Sequence, residues 1–557
     1  MKFFGWFCLA ILTLLYSINI AVAQTKIVHK FAVFFIDKDT SIYDVNRPTV
    51  FLSPKAITRK NRQQIAITPL DFPVDVNYLN AINQLGYKVH NASKWFNCAI
   101  VLADTKNAID TLQKIKGVKS VNYVGYGTTH LKPKSQVDLD ERIAVLEQKF
   151  DKKFEKNKRD SNVYGQGLKQ AEINNINTLH NIGLAGKGVT IAVIDAGFLR
   201  ANVHPVLKHA MSKVITTYDF VDMEQNVFND DEHGTAVWSC MAAMDTFNFI
   251  GTAPLANYVL LRSEEANIEF PVEEFYWTIA AEFADSIGAD IINSSLGYNA
   301  FDDKTFNYKL TDLNGKTAWI TKAANIATDK GLLLINSAGN EGNTLWRQVV
   351  FPADAPQVIA VGAVDDKMRH ASFSSIGSNK NKLIKPTLMA LGENATVASD
   401  LGTIYQSDGT SYASPILAGG IACLWPVFMH LETQQIHHIL ELSANYYYHP
   451  NRYFGYGVPD LFLAHQFAKK YDKDTLLSVT ILDDKNIHVG LVLTQKQKLK
   501  FALLNSSNKI VYSYTENVKF GGISRVALSR SNKIKRGTYT LVVTNNNVTI
   551  GTSIINK

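Results

Sequence analysis

The chain has few cysteines, and their placement excludes two kinds of site. Only four occur in 557 residues, and Cys8 lies in an N-terminal apolar run. The other three, Cys98, Cys240 and Cys423, are far apart and show no C-x-x-C spacing, which argues against a zinc site and against a disulfide framework. Three cysteines cannot all pair, so we expect buried apolar thiols. A disulfide between Cys240 and Cys423 is the alternative that the sequence leaves open.

Charge is also scarce, and no dense basic segment is present. Charged residues make up 19% of the chain, the formal net charge is +7, and no Lys/Arg run is interleaved with aromatic residues. This pattern excludes nucleic acid as an expected partner. The hydrophobic content of 46% is enough for several buried cores.

Long apolar runs are absent after the first 23 residues, so we expect no stable membrane span. Residues 3–20 form the one long run, which follows Lys2 and precedes Ala-Val-Ala at residues 21–23. Small residues at alternate positions suit a signal peptidase, so residues 1–23 are predicted to be a cleaved signal peptide. Asn19 and the small-residue end argue against the alternative, a membrane anchor. The expected location is therefore secreted or at the cell surface.

The rest of the chain divides into four parts of different composition. Residues 24–135 alternate strand patterns such as "KIVHKFAVFFID" with helical patterns such as "VNYLNAINQLG", which predicts a small α/β domain. Residues 136–162, including "EQKFDKKFEKNKRDSN", read as a charged linker. Residues 163–471 contain continuous apolar runs between helical stretches, the pattern of a parallel sheet covered by helices on both faces. Residues 475–557 show period-two strands only and predict a small antiparallel β module, a β-sandwich.

Four polar residues in the third part could carry chemistry. Asp195 ends "VTIAVID", His233 precedes a run of small apolar residues, Asn340 ends "LLLINSAGN", and Ser411 lies in "SDGTSYASP". Each has an ordinary structural explanation as a turn residue, a helix-start histidine or a helix cap. Together they supply the parts of acyl transfer, which needs a hydroxyl nucleophile, an imidazole base, a carboxylate to orient it, and donors for an oxyanion.

These residues and their neighbours resemble the subtilisin-like serine proteases. The order Asp, His, Ser is that of the family, and "VIDAG", "HGTAV" and "GTSYASP" surround the three residues. Further similar segments fall in the family's order: "GTAPLA", "NSSLG", "SAGNEG", "FPADAPQVIAVGAVD", "FSSIGS" and "GYGVPD". The resemblance covers about 300 residues and implies a serine endopeptidase that acts on proteins or peptides.

The resemblance also implies roles for particular residues. Asp195, His233 and Ser411 would form the catalytic triad, and Asn340 would be the oxyanion donor. The substrate-binding residues would be those of two segments that line the non-primed side of the cleft, where an extended peptide could pair as an added strand: Ser294, Ser295, Leu296, Gly297, Ala338 and Gly339. Ala196, Ala236 and "KPTLMALG" depart from the family pattern in ways that concern rate and specificity.

No cofactor follows from the sequence. Structural calcium is frequent in the family, but no loop here has a recognisable spacing of calcium ligands, so we assign no metal ligands.

The flanking parts extend the resemblance. The α/β domain at 24–135 is similar to the propeptides of secreted subtilases, which implies a zymogen inhibited by its own propeptide and processed within the linker. Residues 475–557 look like the C-terminal sorting module of proteins exported by the type IX secretion system of Gram-negative bacteria. This resemblance implies that the type IX secretion machinery is a partner. An accessory β domain is the alternative for this module. A catalytically silent surface adhesin or binding scaffold is the alternative for the whole protein.

Overall fold

A computed structural model describes most of the chain from residue 26 onward. The described ranges are 26–38, 42–129, 163–378, 383–447, 449–471, 479–482, 486–493, 497–507, 509–518, 522–529, 537–544 and 549–556. The predicted signal peptide and the predicted linker with its processing site lie outside the described residues.

The N-terminal region is a four-stranded antiparallel sheet with two helices packed on one face. The elements are β1 (Lys26–Phe35), α1 (Pro54–Arg62), α2 (Val76–Gln84), β2 (Lys88–Ser93), β3 (Cys98–Ala103), α3 (Ala108–Leu112), β4 (Val118–Thr129) and the short 3-10 helices Pro48–Val50 and Pro69–Asp71. The strand order in the sheet is β2-β3-β1-β4. Ile82 of α2 and Leu112 of α3 pack in one core with Phe31 and Val101 of the sheet.

The central region, from residue 163 to 471, contains eleven strands and ten α-helices among the described residues. The strands are β5 (Thr190–Asp195), β6 (Val214–Asp219), β7 (Met244–Asp245), β8 (Phe249–Ile250), β9 (Asn257–Arg262), β10 (Ile291–Ser294), β11 (Leu333–Ser337), β12 (Ile359–Val364), β13 (Leu388–Leu391), β14 (Ala395–Ala398) and β15 (Ile404–Ser407). The α-helices are α4 (Leu168–Glu172), α5 (Ile176–Asn181), α6 (Lys208–Met211), α7 (His233–Ala242), α8 (Val272–Ile287), α9 (Trp319–Asp329), α10 (Thr410–Cys423), α11 (Trp425–Phe428), α12 (Thr433–Ser443) and α13 (Leu461–Tyr471). Three 3-10 helices are Pro205–Leu207, Lys304–Phe306 and Leu310–Asp312.

Seven of these strands form one parallel sheet in the order β13-β12-β11-β10-β5-β9-β6. Every residue of β5, β10, β11 and β12 is buried, which explains their continuous apolar sequences. Helices α7 and α10 cover one face and α8 and α9 cover the other. The predicted parallel sheet with helices on both faces is therefore confirmed.

The N-terminal sheet packs on the central region through the face that its own helices leave free. Its residues join the core that α8 and α9 form on their side of the parallel sheet. Phe34 lies against Phe275 and Trp319, with ring centroids 6.1 and 5.2 Å away. The aromatic contacts and the shared core hold the two regions together.

Helix α1 adds a buried cluster of charges to this interface. Arg59 and Lys60 are buried and both pair with Asp285 of α8. Asp71 accepts a hydrogen bond from Lys330 at 2.7 Å and lies 3.4 Å from Lys60. Burial lowers the pKa of Lys60 although the two carboxylates oppose this shift. Removing one partner from such a cluster would leave an uncompensated buried charge, which is strongly destabilising.

The C-terminal region forms two antiparallel sheets. Their strands are β16 (Val479–Leu482), β17 (Asn486–Leu493), β18 (Gln497–Leu504), β19 (Ile510–Val518), β20 (Gly522–Ser529), β21 (Gly537–Thr544) and β22 (Thr549–Asn556). One sheet has the order β16-β17-β20, and the other has the order β19-β18-β21-β22. The small antiparallel β domain expected at the C-terminus is therefore confirmed as part of the fold.

The structure bears on two expectations from the sequence, the state of the cysteines and the presence of a membrane-spanning helix. Cys98, Cys240 and Cys423 are buried and free, so the alternative of a disulfide between Cys240 and Cys423 is not realised. Cys423 instead contacts the carbonyl oxygen of Thr252 through its sulfur. Among the described residues, no helix has the length and hydrophobicity needed to cross a membrane.

Candidate active site

Asp195 and His233 meet at the carboxyl edge of the parallel sheet. Asp195 is the last residue of β5, and His233 is the first residue of α7. Nδ1 of His233 lies 2.7 Å from Oδ1 of Asp195. A side chain on Gly234 would overlap the carbonyl oxygen of Gly197, so this glycine allows α7 to approach the end of β5 closely. Asp231 accepts a hydrogen bond from the backbone N–H of His233 and fixes the start of the helix.

The surroundings of His233 favour its protonated form. Partial burial lowers the pKa of this imidazole, but the charge and hydrogen bond of Asp195 outweigh burial and raise the pKa above its ordinary value. The Asp195 side chain is fully buried, whereas 33% of the His233 side chain is exposed. The arrangement leaves Nε2 as the ring nitrogen that can exchange a proton with a ligand.

Ser411 is placed by a helix that is otherwise entirely buried. All thirteen other residues of α10 are buried, and Ser411, the second residue, is partly exposed. Gly419 permits the burial, because a side chain there would overlap Thr252. The backbone N–H groups of a first helical turn have no partners within the helix and can bind an anion. In this helix the N–H of Thr410 donates to Asn340 and that of Tyr412 donates to Gly409, so the N–H of Ser411 is the first-turn donor that lies beside the accessible hydroxyl.

The hydroxyl of Ser411 does not reach His233 in this structure. It donates to the carbonyl oxygen of Ser295 at 3.3 Å, and among the described residues it has no hydrogen bond to the imidazole. The two residues are nevertheless neighbours, because the ring of Tyr412 lies 6.3 Å from the ring of His233, centroid to centroid. Hydrogen bonds between nucleophile and base are often formed only when substrate is bound.

Asn340 is oriented by Thr410, the residue before Ser411. Oδ1 of Asn340 accepts from both the backbone N–H and the hydroxyl of Thr410, each at 2.9 Å. The Thr410 hydroxyl in turn accepts from the backbone N–H of Gly339 at 3.1 Å. Because both donors hold the amide oxygen, the Nδ2 group remains available to a ligand. Sequence reasoning missed Thr410, which reads as a helix cap, and the neighbouring "GTS" motif was the only signal for it.

The predicted substrate-binding residues lie on two neighbouring segments, one that begins with the last residue of β10 and one that follows β11. Ser295 and Ser411 are tied together, since the Ser295 hydroxyl donates to the carbonyl oxygen of Ser411 at 2.8 Å. Gly297 is exposed, Leu296 is half-buried and Gly339 is buried. Ser294 and Ala338 are fully buried, so their side chains face the protein interior. The roles of all six residues remain predictions.

In the part of the chain that the structure describes, two groups of carboxylates are close enough together to hold a cation. Asp219, Asp222 and Asp230 surround the guanidinium of Arg262, whose Nη1 lies 2.7, 2.9 and 3.5 Å from them. The guanidinium of Arg262 is therefore the cation that this group binds. The second group is Glu264, Glu269 and Glu273.

Burial raises the pKa values of the carboxyls in the second group. Burial raises the pKa of Glu264 to about 7, and burial together with the charge of Glu264 raises the pKa of Glu269 to about 8. Protonation of such buried carboxyls relieves their mutual repulsion without a metal.

Comparison with known proteins shows the family to which the chain is similar. Residues 186–457 match the subtilase family, and residues 30–140 match the peptidase S8 propeptide domain of Bacteroidota. Subtilisin NAT of Bacillus subtilis subsp. natto is 31% identical over 292 residues, which cover 52% of this chain and 68% of that protein. The subtilisin of Bacillus pumilus is 32% identical over 291 residues, 52% of this chain and 94% of that protein. A thermostable alkaline protease of Halalkalibacterium halodurans is 28% identical over 332 residues, 56% and 81% respectively.

The fold, the match along the central region and these identities place the chain in the subtilase family. It is a subtilisin-like serine-type endopeptidase that acts on proteins and is made as a zymogen, and the N-terminal α/β domain is its propeptide, an inhibitor within the same chain.

The raised pKa of His233 predicts the pH dependence of activity. A general base must be neutral, so kcat/KM should fall as pH decreases through the pKa of His233, with a midpoint above the ordinary value of about 6.5. Glu264→Gln should move this midpoint to lower pH, because the Glu264 charge helps to raise that pKa. The measurement is kcat/KM of the processed enzyme against pH. A midpoint at or below 6.5 in the wild type would show that Asp195 does not govern the titration.

Proposed function

We propose that this endopeptidase cleaves proteins through an acyl-enzyme on Ser411, with His233 as base, Asp195 as its orienting carboxylate, and Asn340 as oxyanion donor. The contact between Asp195 and His233 at 2.7 Å, beside the accessible Ser411 of a buried helix, is the observation that carries the proposal. The ordered contacts of Thr410 support the role of Asn340.

The reaction would take place in two steps. The Ser411 hydroxyl leaves Ser295, gives its proton to Nε2 of His233 and attacks the carbonyl carbon of the scissile bond. Nδ2 of Asn340 and the backbone N–H of Ser411 stabilise the oxyanion, and the imidazolium protonates the departing amine. A water molecule then gives its proton to His233 and attacks the ester, which releases the acid product and restores Ser411.

Hydrolysis of an internally quenched peptide with both ends blocked tests this function. An endopeptidase needs no free terminus, so we expect cleavage within the peptide, located by mass spectrometry of the two products. Absence of cleavage by the processed protein would favour the alternative, a silent binding scaffold.

The contacts of Glu282 support the inhibitory role of the propeptide. This buried carboxylate of α8 accepts three hydrogen bonds from the last residue of β2 and the turn that follows it. The donors are the hydroxyl of Ser93 at 2.5 Å and the backbone N–H groups of Lys94 and Trp95, each at 2.9 Å. Hydrogen bonds to a charged acceptor contribute about 1.5–3 kcal/mol each. Glu282 thereby anchors the propeptide on the peptidase.

Glu282→Gln should release the propeptide sooner after processing, because the charge is lost and an N–H group replaces one acceptor oxygen. We expect about a tenfold or greater rise in the dissociation rate of the cut propeptide, measured from the delay before activity appears. The matched control is Glu274→Gln on the same helix, since Glu274 is also buried but bonds to Tyr308 of the peptidase. Equal delays for the two variants would contradict an anchoring role for Glu282.

We further propose that the protein is exported and processed. The support is the signal-like sequence at residues 1–23 and the propeptide match at residues 30–140. The mature chain should begin between about residues 128 and 162. N-terminal sequencing of the secreted protein tests this proposal, and a mature start at Gln24 would contradict processing.

The C-terminal module is proposed to direct the protein to the type IX secretion system. Its antiparallel strands and the match of residues 30–140 to a propeptide domain of Bacteroidota support this proposal. Deletion of residues 475–557 should leave the protein in the periplasm. Undiminished export of the truncated protein would instead favour an accessory β domain.

A further inference from the structure

One side chain lies between the two segments that border Ser411. Val350 is 5% exposed and extends into the gap between Gly297, after β10, and Gly339, after β11. A methyl group built on Gly297 would overlap Cγ2 of Val350, and one built on Gly339 would lie 2.9 Å from Cγ2 and 3.1 Å from Cγ1. The gap is therefore bordered by a glycine on each side, and the side chain of Val350 occupies the space between Gly297 and Gly339.

This gap is next to the reacting groups. Ser295, two residues before Gly297, accepts the hydrogen bond of Ser411, and Asn340 follows Gly339 directly. A scissile carbonyl bound at Ser411 and Asn340 places the side chain of the preceding substrate residue only two bonds from the carbonyl carbon. With the peptide extended along the segment after β10, that side chain would enter between Gly297 and Gly339.

Val350 cannot easily move out of the gap. Its backbone N–H donates to the carbonyl oxygen of Ala338 at 3.1 Å, so it is fixed to one wall. The next residue, Phe351, exchanges two backbone hydrogen bonds with Tyr298, at 3.0 and 3.1 Å, and is fixed to the other wall. The β-branched side chain of valine also has few rotamers. The depth of the gap is thus set by the two methyl groups of Val350.

We propose that Val350 closes the pocket for the residue before the scissile bond and restricts the enzyme to small residues there, such as alanine. This inference rests on the proposed function of Ser411, because the pocket is defined by the position of the nucleophile. A large aromatic side chain would have to displace Val350 or bind outside the pocket, so the transition state would be poorly positioned.

A series of tetrapeptide p-nitroanilides that differ only in the last residue tests the proposal. For the processed wild-type enzyme we expect kcat/KM with alanine to exceed kcat/KM with phenylalanine by at least about tenfold, the range in which a pocket discriminates by size. Val350→Gly should raise kcat/KM for the phenylalanine substrate at least about tenfold and change that for alanine less than about threefold.

Val350→Ala and Val349→Ala complete the design. Val350→Ala should raise kcat/KM for phenylalanine relative to alanine by a smaller factor than Val350→Gly. This variant provides the measurement if Val350→Gly fails to fold. Val349 is also buried but packs into the core beneath the sheet, so Val349→Ala should leave the ratio of the two substrates unchanged.

The outcomes separate the two proposals. A wild-type enzyme that prefers phenylalanine, or Val350 variants whose ratio stays within twofold of wild type, would overturn the role of Val350 alone. If the processed enzyme cleaves neither the p-nitroanilides nor the peptide with blocked ends, the result contradicts the proposed function of Ser411 itself.

Discussion

Ser411→Ala is expected to abolish peptide hydrolysis. Removal of the triad serine from a subtilisin lowers kcat by about 10⁶-fold, because without the nucleophile only binding and the oxyanion donors remain. We expect a loss of the same order here, since Ser411 is the one accessible residue of α10. The measurement is kcat on a peptide substrate with enzyme purified in its processed form.

Ser407→Ala is the control for this loss. Ser407 lies at the end of β15, four residues before Ser411, and its hydroxyl donates to Tyr412 at 3.3 Å. We expect its activity to stay within a few-fold of wild type. More than a tenth of wild-type activity in Ser411→Ala would exclude this residue as the nucleophile.

Asp195→Asn is expected to lower kcat by about 10⁴-fold while substrate binding is largely kept. The amide preserves the shape but removes the charge that fixes the His233 tautomer and stabilises the imidazolium. Because Asp195 is fully buried and bonded to Nδ1 of His233, no solvent molecule can substitute for the carboxylate. Separate measurement of kcat and KM distinguishes this effect from a loss of binding.

The neighbouring Asp231 supplies a matched control. The Asp231 side chain accepts a hydrogen bond from the backbone N–H of His233 at 2.7 Å, and an asparagine keeps an acceptor oxygen there. Asp231→Asn should therefore retain activity within about tenfold. Equal losses in both variants would mean that the acidic surroundings, rather than the Asp195 contact, control the imidazole.

Much of this site could be predicted because its residues interrupt regular patterns. Asp195 follows a continuous apolar strand, and Ser411 begins a helix of small residues, so both positions could be placed on the sheet edge from the sequence. The parallel order of the strands brings their carboxyl ends together. The family resemblance implied the contact between Asp195 and His233, but local sequence patterns alone could not show it, because 38 residues separate the two residues.

Other features could not be predicted because their residues look ordinary in the sequence. Val350 reads as one more apolar residue before Phe351, and only the facing glycines show what it fills. Helix α1 was missed because "PKAITRKNR" looks like an exposed basic segment. Its Arg59 and Lys60 are buried only because Asp285 and Asp71 lie opposite them. Tertiary pairing of this kind leaves no local signal.

Labelling with a fluorophosphonate probe tests the nucleophile most directly. Such probes phosphonylate a serine hydroxyl only when a neighbouring base and oxyanion donors activate it. With the processed protein at neutral to mildly alkaline pH, we expect one label per molecule, mapped to Ser411 by mass spectrometry and absent from Ser411→Ala. No Ser411-dependent labelling of the folded, processed protein would contradict the proposed catalytic site and leave a binding scaffold as the better explanation.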